Sequence, residues 1–196
     1  RAAQKAPQAF IDCLNLGPDA AFAQVIARLE SVASTSRQTS AMSTLRQAKL
    51  GGALIIGLAD LADIWTLERV TAAVSELARR SVDAALGWLF ADAVKRNVFL
   101  TADPTGEALL RHGGFIVLGM GKIGAEELNY SSDIDLIVLF DPEKIEAKRP
   151  DRLQHEMVRL THGLVTMMEE LTRDGYVFRT DLRLRPDPAS TPMALS

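Results

Sequence analysis

FIVLGMGKIGAEELNYSSDIDLIVLFD, residues 115–141, is the stretch on which the reading of the whole chain turns. An apolar run enters a glycine cluster, and Asp133-Ile134-Asp135 opens a second apolar run. Gly119-Met-Gly121-Lys-Ile-Gly124 spells G-x-G-x-x-G, and Asp141 stands about 20 residues further on, where a ribose-binding acid would sit. A dinucleotide fold, however, needs a full crossover helix between its two parallel strands. Only eight residues, Ala125 to Ser132, are available, and they include Asn129-Tyr-Ser-Ser. They make at most about two helical turns. A Walker A loop fails as well, because Lys122 is followed by Ile123, and no hydroxyl is placed to reach Mg²⁺. The use left for the glycines is a short turn whose N–H groups, with Lys122, hold a phosphate at the start of a stubby helix.

Residues two apart in a strand point to one face, so Asp133 and Asp135 project together beside the glycine turn. A divalent cation is the natural compensation for two such carboxylates. Alone, D-x-D at a strand edge is more often a solvated turn pair. A second constellation adds weight. In Arg179-Thr-Asp181-Leu-Arg183-Leu-Arg185, alternation places Arg179, Asp181, Arg183 and Arg185 on one face. Beside the D-x-D strand, Asp181 becomes a third metal carboxylate, and the arginines meet phosphate oxygens. Three acids across from a glycine turn suit two-metal phosphoryl or nucleotidyl transfer.

Outward from this stretch, the N-terminal half reads as helical. A short helix is expected near Phe10–Leu14. A second carries Phe22, Val25, Ile26 and Leu29 on one face. The Ser- and Thr-rich stretch from Ser31 to Ser43 reads as a loop or frayed end, followed by a helix over Leu45–Leu61 that Gly51-Gly52 weakens. Thr66 is the expected N-cap of one long helix to about Asn97. Residues 101–114 read as a loop. Phe115–Leu118 and Ile134–Phe140 are strand candidates. Leu153 to Leu171 carries an amphipathic helix, and Tyr176–Leu184 alternates as a strand.

The 196 residues carry 22 Lys+Arg against 25 Asp+Glu, a net charge of −3, which argues against bulk electrostatic binding of nucleic acid. One cysteine, Cys13, excludes an internal disulfide framework and fits a reducing cytoplasm. No apolar stretch reaches the roughly 18–20 residues a membrane span needs. The chain opens on Arg1 and has no evident ending at Ser196, the pattern expected of a piece of a longer protein.

Gly121-Lys122, ten residues, then Asp133-x-Asp135 resembles the G-[GS]…D-x-D signature of the DNA polymerase β-like nucleotidyltransferases, with Lys122 in place of the usual Ser. More closely, GMGKIGAEELNYSSDIDLIVLFD and DGYVFRTDLRLRP resemble the glutamine synthetase adenylyltransferase/adenylyl-removing family over about residues 115–186. That resemblance implies an α+β fold: a nucleotidyltransferase-type mixed sheet with flanking helices, preceded by an α-helical region. The expected division is 1–100 helical and 101–196 catalytic core, the latter incomplete at its C-terminal end. The family pairs two homologous catalytic domains. One adenylylates a tyrosine of glutamine synthetase with ATP, and the other removes AMP by phosphorolysis, releasing ADP. ELNYSSDIDL and TRDGYVFRTDLRLRP are more similar to the removing copy. The resemblance implies Asp133, Asp135 and Asp181 as catalytic acids binding Mg²⁺ (two ions). It implies Gly121, Lys122, Ser132, Arg183 and Arg185 as nucleotide- or phosphate-binding residues, and glutamine synthetase and a PII-type regulator as partners. Forward adenylylation is the first alternative, and a non-catalytic nucleotide-binding domain the second. One departure follows Arg185, where Asp187-Pro-Ala-Ser190-Thr-Pro192 replaces the family's Gly-x-Ser-Gly, leaving any role of that loop open.

His155 and His162 lie seven apart on one helix and are assigned to the surface or to packing. Met157, Met167 and Met168 read as core, Trp65 and Trp88 as helix-packing anchors. Glu126-Glu127 and Glu169-Glu170 read as solvated.

Overall fold

The computed structural model describes residues 2–112 and 114–183. Within them the helices are α1 (Ala2–Lys5), α2 (Pro7–Leu16), α3 (Pro18–Glu30), α4 (Gln38–Leu61), α5 (Leu67–Lys95), α6 (Glu107–His112), α7 (Gly121–Gly124) and α8 (Leu153–Glu169). The strands are β1 (Phe115–Met120), β2 (Ile134–Phe140) and β3 (Thr180–Asp181). The expected α+β architecture, a small mixed sheet flanked by helices and preceded by a helical region, is the one observed. No helix among the described residues is long and apolar enough to cross a membrane.

α5 is the axis of the helical layer. Thr66 caps it, accepting a hydrogen bond from the Arg69 N–H at 3.4 Å. Val70, Val74, Leu77, Ala78, Val82, Ala85 and Leu89 recur at helical spacing and are buried. α4 packs on one side of α5 and α8 on another. Gly52 lies where α4 meets α5, and a Cβ there would come within 2.7 Å of the Leu77 Cδ2. The glycine that weakens the helix in isolation is thus what lets the two helices approach. Leu77 is itself buried and cannot swing clear. Gly52→Val is therefore expected to lower unfolding free energy by about 2 kcal/mol, measured by urea denaturation. A neutral result would mean that the α4–α5 contact is loose.

The sheet order is β1-β2-β3. β1 and β2 are antiparallel, in register from Phe115↔Phe140 to Met120↔Asp135. β2 and β3 are parallel through Ile134↔Thr180 and Asp135↔Asp181. One face of the sheet, with Phe115, Leu136, Val138 and Phe140, joins the hydrophobic core that also contains the helices. Phe90 of α5 stacks on Phe99 at 5.7 Å and meets Phe115 edge-on at 5.2 Å, tying helices to sheet. The other face carries Ile116, Leu118, Met120 and, opposite Met120, Asp135. Met157, Met167 and Met168 are fully buried. Trp65 and Trp88 are packing anchors, their indole N–H groups donating to Asp19 and to the Thr35 carbonyl. Both histidines of α8 are on its exposed side.

Four local expectations are corrected. α4 begins at Gln38 rather than Leu45, because burial of Ala41 and Met42 outweighs the weak propensity of the Ser/Thr stretch, and the Thr44 hydroxyl bonds back to the Ser40 carbonyl. Residues 101–114 contain α6, whose start is organised by Asp103 accepting from the N–H groups of Thr105 and Ala108. Of the strand expected over 176–184, only Thr180–Asp181 pairs with the sheet. The Val177 N–H bonds instead to the Met168 carbonyl at the end of α8, and Val177 and Phe178 are buried there. Leu184 and the loop after Arg185 lie outside the described residues. Finally, Glu169 is half-buried and engaged rather than solvated.

Among the described residues one charged side chain sits within the core. Arg46 of α4 is 1% exposed. Its guanidinium donates to the carbonyls of Met42, Met167, Glu170 and Gly175, at 2.5–3.1 Å. Three of these belong to the end of α8 and the turn leading into β3. Orphan helix-end carbonyls are thereby satisfied by a cation of the sign the helix dipole favours.

Candidate active site

The glycine turn is built by close approach. β1 ends at Met120, and Gly121 takes φ +55°, a left-handed conformation suited to glycine. A Cβ on Gly121 would stand 3.0 Å from the Asp135 Oδ2. One on Gly124 would lie 2.5 Å from the Gly119 carbonyl oxygen. α7 is therefore a single turn folded back onto the end of β1, which fits the short connection and delivers an antiparallel β2. That antiparallel pairing also excludes the dinucleotide fold, whose strands would be parallel. Glycine is required at both positions so that the backbone can lie against the acid and against itself.

Asp135 and Asp181 are register partners on adjacent parallel strands, so their side chains leave the same face side by side. Asp133 immediately precedes β2. Its Oδ1 accepts from the Arg179 Nε at 2.5 Å, and Arg179 also donates to the Ser131 carbonyl. Asp181 is held by Arg183: Nη2 to Oδ2 is 2.6 Å, Nε to Oδ1 3.0 Å, and the Arg183 backbone N–H reaches Oδ1 at 2.9 Å. Asp135 has no hydrogen-bond or ion-pair partner among the described residues. All three acids act on Arg183, whose proton is held more tightly by Asp181 first and then by Asp133 and Asp135. The fold thus sets Asp135 beside Asp181 with Asp133 just before the same strand, and arginines pair with Asp133 and Asp181. Arg179, which the R-x-D-x-R alternation placed on the acid face but which the resemblance did not single out, is part of that arrangement.

The Arg183 donors lower the Asp181 carboxyl to a pKa of about 2. A depressed carboxylate pKa stabilises the fold above the ordinary carboxylate range, and that contribution is lost as pH falls toward 2. Arg183→Met is expected to return Asp181 toward an ordinary pKa near about 4, read by carboxyl NMR titration. A titration still centred near 2 in that variant would show that another group holds the carboxylate.

Lys122 lies in α7, its Nζ 3.4 Å from the Ser132 Oγ, and that hydroxyl donates to the Asn129 Oδ1 at 2.5 Å. Lys122 and Ser132, both expected at the turn, are therefore brought within hydrogen-bond reach of each other. Arg185 lies outside the described residues. The helical region grips this loop from behind: the Ser75 Oγ of α5 accepts from the Leu128 N–H at 3.0 Å, and the Tyr130 hydroxyl donates to Asp60 of α4 at 2.9 Å. Desolvation and the Asp60 carboxylate push the Tyr130 phenol up to about 12. None of these contacts was legible in the sequence.

Among the described residues no three His, Cys, Asp or Glu side chains are gathered closely enough to hold a metal ion. The donor set nevertheless suits Mg²⁺: hard carboxylate oxygens on one sheet face, two of them in adjacent register, with arginine now in the place of the counter-charge. Both arginines are largely exposed, 58% and 91% at the side chain, so they can be displaced toward solvent.

Residues 2–196 match the family described as glutamate-ammonia ligase adenylyltransferase. The chain belongs to this family. Among similar curated proteins, the bifunctional glutamine synthetase adenylyltransferase/adenylyl-removing enzyme of Bradyrhizobium diazoefficiens is 42% identical over 191 residues, 97% of this chain and 19% of that protein. The protein of the same description from Bradyrhizobium sp. strain BTAi1 is 45% identical over 91% of this chain and 18% of its own length. That of Xanthobacter autotrophicus is 40% identical over 97% and 19%. The chain thus spans about a fifth of the length of these adenylyltransferase-family relatives. The family match reaches back through the helical region, beyond the 115–186 stretch that carries the motif resemblance.

Proposed function

We propose that this chain is the adenylyl-removing catalytic unit of its family, acting on adenylyl-tyrosine of glutamine synthetase with phosphate and Mg²⁺ and releasing ADP. The observation that carries the reading is the Asp135–Asp181 register pair beside Asp133 and the Gly121 turn, within a chain of this family. Presence of all three acids speaks against a purely regulatory nucleotide-binding domain. The choice of removal over forward transfer rests on the wording ELNYSSDIDL and TRDGYVFRTDLRLRP. In this reading residues 1–100 are the helical scaffold and 101–196 the catalytic core.

Asp133, Asp135 and Asp181 would hold Mg²⁺, which when bound neutralises phosphate oxygens and favours in-line displacement. Lys122 and Ser132 take the incoming phosphate at the turn, and the missing Cβ of Gly121 keeps the approach to Asp135 open. Arg183 and Arg179 pass from carboxylates to phosphoryl oxygens as those arrive, and Arg185 adds a further cation for the phosphates. A phosphate oxygen attacks the α-phosphorus of the AMP ester, the phosphorus–tyrosine oxygen bond breaks, and the phenol oxygen takes up a proton. The products are ADP and the unmodified tyrosine side chain of the protein substrate. Phosphate needs no dedicated histidine base, so positioning and charge carry the catalysis. A cytoplasmic setting and a PII-type regulator belong to the same proposal.

The test is direct. With adenylylated glutamine synthetase, phosphate and Mg²⁺, the full chain should release ADP in proportion to phosphate. AMP incorporation into unmodified glutamine synthetase from ATP, with no ADP release in the first assay, would assign the chain to the forward reaction instead.

A further inference from the structure

Glu169 ends α8, and its Oε1 accepts two hydrogen bonds from one residue of β3: the Thr180 N–H at 2.6 Å and the Thr180 hydroxyl at 2.5 Å. β3 is two residues long, pairs with β2 on one side, and among the described residues has no strand on the other. Its outward N–H therefore needs an acceptor from outside the sheet. Both donors of Thr180 give and need an acceptor-only partner, which an ionised carboxylate is. Thr180 lies opposite buried Ile134 and turns toward the helices, so its neighbour Asp181 is presented on the acid face against Asp135. The Glu169 charge also bears on Arg179, the partner of Asp133. One carboxylate behind the sheet is thus coupled to both outer acids.

We propose that Glu169 is a positioning residue: by standing in for a missing strand it fixes Thr180, and through it the place of Asp181 beside Asp135. The inference rests on the proposed reading for its catalytic consequence and on the contacts alone for its structural one. Carboxylates behind a metal-binding shell act in this way by restricting the orientations of the ligands. α8 in turn is held by Arg46, so the strut is anchored at both ends.

The experiment uses the full chain with Glu169→Ala, Glu169→Gln and Thr180→Val. In metal-free protein, Glu169→Ala should speed exchange of the Thr180 amide by about tenfold or more, because its acceptor is gone. The Mg²⁺ concentration for half-maximal ADP release should rise by about tenfold, with KM for adenylylated glutamine synthetase unchanged. Glu169→Gln keeps the acceptor oxygen and should restore most of both. Thr180→Val should shift Mg²⁺ dependence in the same direction, less far, and with Glu169→Gln it carries the test if Glu169→Ala does not fold. Wild-type Thr180 exchange and wild-type Mg²⁺ dependence in Glu169→Ala would overturn the proposal. So would Glu169→Gln that is as inactive as Glu169→Ala while its Thr180 amide stays protected, since the carboxylate would then act on the reaction itself. If the unsubstituted chain releases no ADP, the functional reading fails; amide exchange and calorimetric Mg²⁺ binding still decide the role of Glu169.

Discussion

Asp135→Asn is expected to reduce phosphate-dependent ADP release by about 10³-fold or more while the chain stays folded. Asp135 is the central acid, register-paired with Asp181 on one side and with Met120 on the other, and packed against Gly121. Among the described residues it alone of the three acids has no hydrogen bond or ion pair to an arginine, so its charge is the one most available to a cation. Asparagine keeps the volume and removes the charge, and the buried neighbours Ile134 and Leu136 continue to hold the strand. Far-ultraviolet circular dichroism and the melting temperature should be unchanged, or the latter slightly raised by relief of like-charge repulsion. Undiminished ADP release in a folded variant would sink the assignment of the acids. Asp133→Asn should also abolish release, and it additionally frees Arg179.

Arg46→Ala should cost about 3–5 kcal/mol of stability, the largest effect expected from a residue outside the acid face. The substitution removes one buried cation and takes the Arg46 donors from the carbonyls of Met167 and Glu170, while the Gly175 carbonyl keeps only its bonds from Thr172. For a chain of this size that corresponds to a fall in melting temperature of roughly 10 °C, or an equivalent shift in urea midpoint. Arg46→Lys should fall between, since one ammonium cannot span carbonyls that the planar guanidinium reaches from three nitrogens. A loss below about 1 kcal/mol for Arg46→Ala would mean that the α8 terminus finds other partners. Burial pulls the Arg46 pKa down, while Glu170 and Asp174 oppose that, so the group remains a cation held by dipoles and nearby acids.

Much of the acid face was legible because its logic is local. D-x-D at a strand start and R-x-D-x-R in an alternating run each put their charges on one face by the two-residue period alone. The eight-residue gap after Gly124 was enough to reject a crossover helix, since length is a hard geometric bound. Local patterns failed where burial overrode propensity. The Ser/Thr-rich start of α4 is helical because Ala41 and Met42 are covered, and the run after Tyr176 leaves the sheet because Val177 and Phe178 pack under α8. Glu169 looked like a solvated helix end because nothing in its neighbours names Thr180 as a partner. Arg46 sits on the apolar stripe of α4 beside Met42 and Leu45, a signal visible in the sequence only as a misplaced charge.

The sequence by itself singled out the candidate residues for the proposed chemistry and the family to which the glycine turn and its acids are similar, because residue type and spacing are properties of a single strand or turn. It also determined that Gly119, Gly121 and Gly124 could not be serving a dinucleotide. Only the tertiary structure decided how the acids meet and what holds them. Asp135 and Asp181 are 46 residues apart in sequence and become neighbours through the parallel register of β2 and β3. Around that register lie contacts from α8, from Arg46 of α4, and from Ser75 and Asp60 to the loop between α7 and β2. Such contacts join side chains to backbone groups across the fold, and a backbone carbonyl or N–H carries no signature in the sequence that would single it out.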